Sequence, residues 1–245
     1  MTRTAIVTAA AAGIGRAIAQ RLAADGWSVV IADIDTAAGT ATAAALGAAF
    51  VACDCGDPAD LERLFACTGA IDLLVNNAGI AGPTAPVTET PLAEWRRVLD
   101  VNLTAQFHAC QLVLPRMIEA GSGVIVNMSS VAGKIGFANR SPYVASKWGV
   151  LGLTATLAQE VSRHGIRVNA ILPGTTRGER IDRVIAGFAE ARGMDQAAAE
   201  AYYMSRQATG RFVEPEEVAA LVAFLASDAA KSITGQFLSV DGGFQ

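Results

Sequence analysis

Long apolar runs, basic clusters and paired cysteines are all missing from this chain of 245 residues, and each absence excludes something. No stretch reaches the roughly 18 consecutive apolar residues of a membrane-spanning helix. Met1-Thr2-Arg3 leads straight into a short apolar strand, without the basic region, apolar core and cleavage site of a secretory signal. A soluble cytoplasmic protein with no membrane partner is expected. Lys and Arg total 19 against 23 Asp and Glu, giving a net charge of −4 with no basic run, so nucleic acid is not expected as a partner. Four cysteines are too few for a disulfide scaffold, and Cys53 and Cys55 lack the further Cys/His pairs of a zinc site. All four are expected to be reduced and mostly buried. The two histidines, His108 in an apolar helical stretch and His164 before Gly165, have no ligand company, so no metal is expected.

Charged residues make up only 17% of the chain and hydrophobic residues 52%, which excludes disorder. A chain of this length can bury a large core without staples. Short Val- and Ile-rich runs predict strands at Thr4–Thr8, Ser28–Asp33, Ala49–Cys53, Ile71–Val75, Gly123–Met128, Arg167–Leu172 and Gln236–Val240. Continuous apolar runs such as Ser28-Val-Val-Ile-Ala suit strands buried on both faces of a parallel sheet. Helical periodicity predicts helices near 14–25, 35–47, 57–67, 90–120, 141–164 and 214–226, with Asp57-Pro58 and Thr90-Pro91 as helix starts. Strand and helix alternate, which selects an α/β fold. No repeat, linker or composition break divides the chain, so residues 1–245 read as a single domain. The insert of about 175–207, between the sixth and seventh strands, reads as a helical lid at the sheet's carboxyl edge, where ligands bind.

The first strand runs into Ala9-Ala10-Ala11-Ala12-Gly13-Ile14-Gly15 and then a helix. Glycines there let backbone N–H groups approach a pyrophosphate at the positive end of the helix. Asp33, about 20 residues on, ends the second strand, where a carboxylate can accept bonds from ribose hydroxyls and repel a 2′-phosphate. Together they point to a dinucleotide site.

Further motifs follow in order: Asn76-Asn77-Ala78-Gly79 after the fourth strand, Asn102 in a long helix, and Ser130 placed 13 residues before Tyr143. Then come Tyr143-Val-Ala-Ser-Lys147, Pro173-Gly174 after the sixth strand, and Asp241-Gly242-Gly243. In this combination the whole chain resembles the short-chain dehydrogenase/reductase family. The resemblance implies a Rossmann-like, doubly wound, seven-stranded parallel sheet with helices on both faces. It also implies a bound nicotinamide dinucleotide and hydride transfer between a carbinol and a carbonyl. One departure is Ala9, which stands at the first glycine of the family's usual turn. Its cost depends on φ: a positive angle strains Ala, and a negative one does not. Relatives that use NADP often carry a basic residue where this chain has Ala12 or Asp33, so NAD is the expected cofactor.

A free Tyr has a pKa near 10, and a neighbouring Lys cation favours its phenolate. By family resemblance Tyr143 is the general acid/base, and Lys147 is its electrostatic partner and a ligand of the nicotinamide ribose. Ser130 holds the substrate oxygen, with Ser129 as a competitor for that role, and Asn102 holds a water on a proton exit. An amide satisfying a bend in the helix is the other reading of Asn102. Gly13, Ile14 and Gly15 are expected at the pyrophosphate, Asp33 at the adenosine ribose, Asp54 and Cys55 near the adenine and Asn77 beside the ribose. Pro173, Gly174, Thr175 and Thr176 are placed near the nicotinamide amide, with the contacting hydroxyl left open.

Lid residues Arg177, Arg180, Arg183 and Arg192 either form a solvated face balanced by Glu179, Asp182 and Glu190 or bind an anionic substrate. Tyr202, Tyr203, Met204, Asn139 and Arg140 are further candidates to line the pocket. The activity expected is NAD-dependent hydride transfer on a small secondary alcohol or ketone such as a sugar or hydroxy acid. The alternative is an NADPH-dependent 3-oxoacyl-[acyl-carrier-protein] reductase, and a non-catalytic dinucleotide-binding regulator is a third reading. By resemblance the assembly expected is a homotetramer, with a dimer as alternative.

Overall fold

In the computed structural model, which describes residues 2–245, seven parallel strands form one sheet. They are β1 (Thr4–Thr8), β2 (Ser28–Asp33), β3 (Ala49–Ala52), β4 (Leu73–Asn76), β5 (Gly123–Met128), β6 (Ile166–Pro173) and β7 (Phe237–Val240), in the order β3-β2-β1-β4-β5-β6-β7. Every predicted strand is present, with ends shifted by a residue or two. Ile71 and Asp72 lie outside β4 because the Asp72 carboxylate turns to accept the Thr4 amide N–H at 2.7 Å.

Alternation along the strands builds two cores. Ala5 and Val7 of β1 pack with Val29 and Ile31 of β2 against α1 (Gly13–Ala24), α2 (Thr36–Leu46) and α9 (Pro215–Ala226). Ile6 and Val30, in register with each other, face the opposite way. There they meet α3 (Pro58–Ala66), α5 (Ala105–Ala120) and α6 (Ser141–Val161) through Leu61, Phe65, Val113, Met117 and Leu157. Each such side chain contributes about 1.5–3 kcal/mol on burial. Asp57 caps α3 by accepting the Ala59 N–H, with Pro58 at the first helical position as predicted.

The helix predicted at 90–120 is corrected in two respects. It starts at Leu92, with Pro91 at the cap position, because the Thr90 hydroxyl bonds back to the Pro86 carbonyl and caps nothing. A single π-helical turn, Asp100–Thr104, then separates α4 (Leu92–Leu99) from α5. Such turns insert one extra residue per turn and re-aim side chains, often at functional sites. The lid comprises α7 (Glu179–Arg192) and α8 (Gln196–Ser205), broken at Gly193 (φ 60°) and packed around Ile185, Ala189, Ala199 and Phe212. Its far end is tied to the C-terminal residues, where Ala208 and Thr209 donate to the Gly243 and Gly242 carbonyls.

β1 lies between β2 and β4, so the connections leaving β1 and β4 run to opposite sides and their carboxyl ends open a crevice. No helix among the described residues is long and apolar enough to cross a membrane.

Candidate active site

The crevice is floored by a tightly bonded turn. The Thr8 hydroxyl accepts the Asn77 and Ala78 amide N–H groups at 2.9 and 3.0 Å, and the Asn77 side-chain amide donates to the Thr8 and Ala9 carbonyls, both at 3.0 Å. Asn77 thus clamps the end of β4 to the turn after β1. Ala9 has φ 50°, so the departure from the usual glycine falls at a left-handed position and carries strain. Gly15 is required by close approach. A side chain there would collide with the Ala9 carbonyl oxygen and stand 2.6 Å from Asn77 Nδ2 and 2.8 Å from Ala10 Cα.

The same turn suits a diphosphate. α1 begins at Ala12 with no side-chain cap and no acidic residue in its first turn, leaving its positive end without a protein anion. Gly13 (φ 55°) has no atom within 4 Å of where a Cβ would stand, so it fronts open space, while Ile14 packs partly against the core. Asp33 faces this turn. One carboxylate oxygen accepts the Ala11 N–H at 2.8 Å and the other accepts the Asp35 N–H at 2.9 Å, and each retains a lone pair. Asp54 is exposed, its carboxylate accepting the Gly56 N–H at 2.8 Å. Cys55 is buried in the core beneath α3 and α5, which leaves its backbone as the part able to meet a ligand. A hydrogen bond with Cys53 and burial push its thiol well above the usual range, while the bond from Cys55 pulls Cys53 down. Cys53 and Cys110 are buried too, but Cys67 is exposed, so the expected burial holds for three of the four.

Asn102 lies in the π turn, wholly buried. Its Oδ1 accepts the Ile80 N–H at 2.7 Å, and its Nδ2 donates to the Ile80 carbonyl at 3.0 Å and to Ser146 Oγ at 3.1 Å. Ser146 donates in turn to the Tyr143 carbonyl at 2.7 Å. The amide therefore fixes the loop after β4 to the first turns of α6. Of the two serines after β5, Ser129 is spent inside the core on the Lys147 carbonyl (2.9 Å), and Ser130, whose hydroxyl accepts the Ala132 N–H at 3.2 Å, is the one that acts on the Tyr143 phenol. Lys147 is buried, and its Nζ donates to the Met128 carbonyl at 2.8 Å. A Cβ at Gly79 would stand 3.2 Å from Asn102 Oδ1 and 3.5 Å from Lys147 Nζ, so the bare glycine leaves a gap between them.

Three cations surround the Tyr143 ring. The Arg140 and Arg180 guanidinium carbons lie 5.2 and 5.7 Å from its centroid, and Lys147 Nζ lies 5.8 Å away. Burial works to raise the phenol's pKa, but Arg180, Lys147, the Ser130 hydrogen bond and Arg140 together outweigh it, and the net shift is downward. Burial also lowers Lys147 to about 8, against the pull of Tyr143 in the other direction. On the far side, the Thr176 hydroxyl turns back to the Gly174 carbonyl at 3.2 Å. Thr175 is buried, with its carbonyl accepting the Val213 N–H, and Pro173 ends β6.

The lid arginines diverge. Arg177 pairs with Glu214 at 3.0 Å, Arg183 bonds its own helix at the Glu179 carbonyl, Arg192 lies over Phe188, and Arg180 reaches inward to Tyr143. All four are exposed, as are Glu179, Asp182 and Glu190, and among the described residues none of the four forms a direct ion pair with those carboxylates. Tyr202 and Tyr203 cluster with Phe188. His108 faces Gln111 and Glu62, and no metal-binding cluster occurs among the described residues.

Comparison with known proteins agrees with this geometry. Residues 8–245 match the family described as Enoyl-(Acyl carrier protein) reductase. Cis-4-hydroxycyclohexanecarboxylate dehydrogenase of Sinomonas cyclohexanicum is 43% identical, covering 99% of this chain and 96% of its own. Among solved structures, a variant of actinorhodin polyketide ketoreductase with NADPH superposes with a TM-score of 0.95 at 35% identity, over 99% of this chain and 97% of that one. NAD+-bound xylitol dehydrogenase gives 0.93 at 31% identity, over 98% of each chain. Fold and relatives define an oxidoreductase that acts on alcohol and carbonyl groups, for which a nicotinamide cofactor is expected. The chain belongs to the short-chain dehydrogenase/reductase family.

Proposed function

We propose that the protein is an NAD(H)-dependent dehydrogenase of small secondary alcohols, with Tyr143 as general acid/base. The observation that carries this reading is the half-buried Tyr143 phenol at the carboxyl end of the sheet, ringed by Arg140, Arg180 and Lys147 at 5.2, 5.7 and 5.8 Å and lowered in pKa by these cations and Ser130. When bound, the nicotinamide supplies the hydride acceptor or donor. Tyr143 as phenolate takes the hydroxyl proton of the alcohol and, in reduction, returns it to the carbonyl oxygen. Ser130 holds that oxygen against Tyr143. Lys147 keeps the phenolate favourable, and the gap left by Gly79 between Lys147 and Asn102 gives the proton a path to solvent. Gly13, Ile14 and Gly15 would hold the diphosphate, Asp33 the adenosine ribose, Asp54 and Cys55 the adenine edge, and Asn77, Tyr143 and Lys147 the nicotinamide ribose. Pro173 to Thr176 would border the carboxamide.

Asp33 at the end of β2 supports NAD, since a carboxylate repels a 2′-phosphate. Likeness to a ketoreductase bound to NADPH favours the second reading, an NADPH-dependent 3-oxoacyl-[acyl-carrier-protein] reductase. The named substrate of the dehydrogenase from Sinomonas cyclohexanicum is a secondary alcohol on a ring, which supports a compact alcohol. Exposed Phe107 and Trp148 on α5 and α6, and Phe224 and Phe237 on α9 and β7, support two faces for a homotetramer, with a dimer as the alternative.

Two measurements test the reading. Titrating NADH and NADPH against tryptophan fluorescence should show tighter NADH binding, and a preference for NADPH would move the acyl-carrier reductase to first place. Tyr143→Phe should abolish turnover while leaving NADH binding within about twofold. Persistent turnover removes Tyr143 from its role.

A further inference from the structure

Most arginines near the lid already have an anion or an aromatic ring. Arg177 has Glu214, Arg211 has Glu217, and Arg192 and Arg206 lie over rings. Arg140 and Arg180 also face a ring, but it is that of Tyr143 itself, at the centre of the site. Neither has a carboxylate within 4 Å among the described residues, and both lie close to Tyr143, where Lys147 already places a third positive charge. Lys147 is buried, Arg140 half-buried and Arg180 exposed, so the repulsion among them is least screened at Lys147, and water screens it at Arg180.

The two guanidiniums are also held in place. Arg140 donates to the Ala81 carbonyl at 3.0 Å and the Thr84 hydroxyl at 3.3 Å, and Arg180 donates to the Gly79 carbonyl at 3.3 Å. Both are thus anchored to the loop after β4. That loop is itself fixed, since Ala85 N–H bonds the carbonyl of Asn139, a residue at φ 63° directly before Arg140. Arg140 Nε is buried with no partner. A buried donor left unpaired is costly unless something accepts from it. Carbonyls position these side chains without neutralising them, and the donors left over suit a planar, bidentate anion.

We propose that Arg140 and Arg180 form a carboxylate subsite beside Tyr143, so that the substrate is a small secondary alcohol bearing a carboxylate a few bonds from its carbinol. Arg140, at the start of α6, supplies the more buried donor, and Arg180, on the first turn of α7, supplies the one from the lid. Binding of the anion would also draw the lid helix toward the loop after β4. This inference rests on the reading of Tyr143 as the reacting end of the site.

The test is a titration of the NADH-saturated enzyme with cyclohexanecarboxylate and with cyclohexanecarboxamide, which share shape and differ in charge. Two charge-assisted contacts predict about 30-fold or greater preference for the carboxylate. Arg180→Gln and Arg140→Gln should each reduce that preference by about tenfold. Equal binding of the two probes by the wild-type enzyme overturns the subsite without requiring any variant to fold. A variant that weakens NADH and leaves the carboxylate-to-amide ratio unchanged overturns it as well, assigning that arginine to the cofactor. Oxidation of cyclohexanol and of 4-hydroxycyclohexanecarboxylate is followed in parallel. Absence of turnover with both counts against the dehydrogenase reading, while the probe ratio still judges the subsite.

Discussion

Replacing Ala9 with glycine should stabilise this protein slightly, although it deletes a partly buried methyl group. Ala9 sits at φ 50°, where an L residue with a Cβ loses roughly 1–2 kcal/mol. Glycine removes that strain. Against it stand about 0.4–1 kcal/mol of added unfolded-state entropy and about 0.4 kcal/mol for half of one methyl's burial, since Ala9 packs only partly on the core beneath α3 and α5. The net gain is about 0–1 kcal/mol, which for a chain of this size raises Tm by about 0–4 °C. Ala9→Val makes the contrast: a β-branched side chain at the same angle should cost about 2 kcal/mol or more. Urea unfolding at fixed protein concentration, with unchanged m-values, measures both. NADH affinity should stay within about twofold in Ala9→Gly, because the Ala9 carbonyl that Asn77 holds is backbone. A loss of more than about 1 kcal/mol in Ala9→Gly, or a neutral Ala9→Val, would refute the assignment of strain to this position.

Three further outcomes follow from the same geometry. Gly15→Ala should cost more than about 2 kcal/mol and abolish NADH binding, because the new methyl meets backbone and the Asn77 clamp, neither of which can yield cheaply; thermal unfolding and fluorescence titration read the two effects. Asn102→Ala should lower kcat and stability together by loosening Ile80 from Ser146, an effect of about 2–3 kcal/mol on unfolding, since it orphans both buried Ile80 backbone groups. Trp148→Glu, on an exposed ring of α6, should convert the proposed tetramer to a smaller species in light scattering without unfolding it.

The inner strands were legible because burial on both faces leaves continuous apolar runs, whereas the partly exposed edge strands β3 and β7 were read from short apolar runs alone. The Tyr143–Lys147 pair was legible because a helix places residues i and i+4 on one face. The π turn was not, since what it positions is a bond between Asn102 and a backbone group 22 residues away that no local periodicity records. Thr8 was missed for the same reason: a Thr ending a buried strand has many uses, and only the fold brings Asn77 and Ala78 to its hydroxyl. The lid arginines were visible as a group but not as individuals. Arg177 and Arg180 are three residues apart, yet one turns out to Glu214 and the other in to Tyr143, because Gly178 at φ 138° turns the chain between Arg177 and the start of α7.

The pH dependence of oxidation links the phenol to the proposed subsite. Oxidation requires Tyr143 without its proton, so the rate should rise with pH and level off above an apparent pKa below 10, and reduction should fall over the same range. The groups facing the phenol are Arg180 from α7, Lys147 and Arg140 from α6 and the residue before it, and Ser130 after β5. Burial lowers Lys147 to about 8 even though the neighbouring phenol favours its ammonium, so the two titrate as a pair. At saturating NAD+, kcat/KM reports the complex before substrate binds and kcat the complex after it. A carboxylate seated on Arg140 and Arg180 cancels part of the field that lowers Tyr143, so its pKa rises on binding. For a carboxylated alcohol the kcat profile should therefore rise at higher pH than the kcat/KM profile, whereas for cyclohexanol the two should coincide. Arg180→Gln should move the kcat/KM limb toward 10 and shrink the gap. Coincident profiles for the carboxylated alcohol would show that its anion does not sit where these arginines act on the phenol.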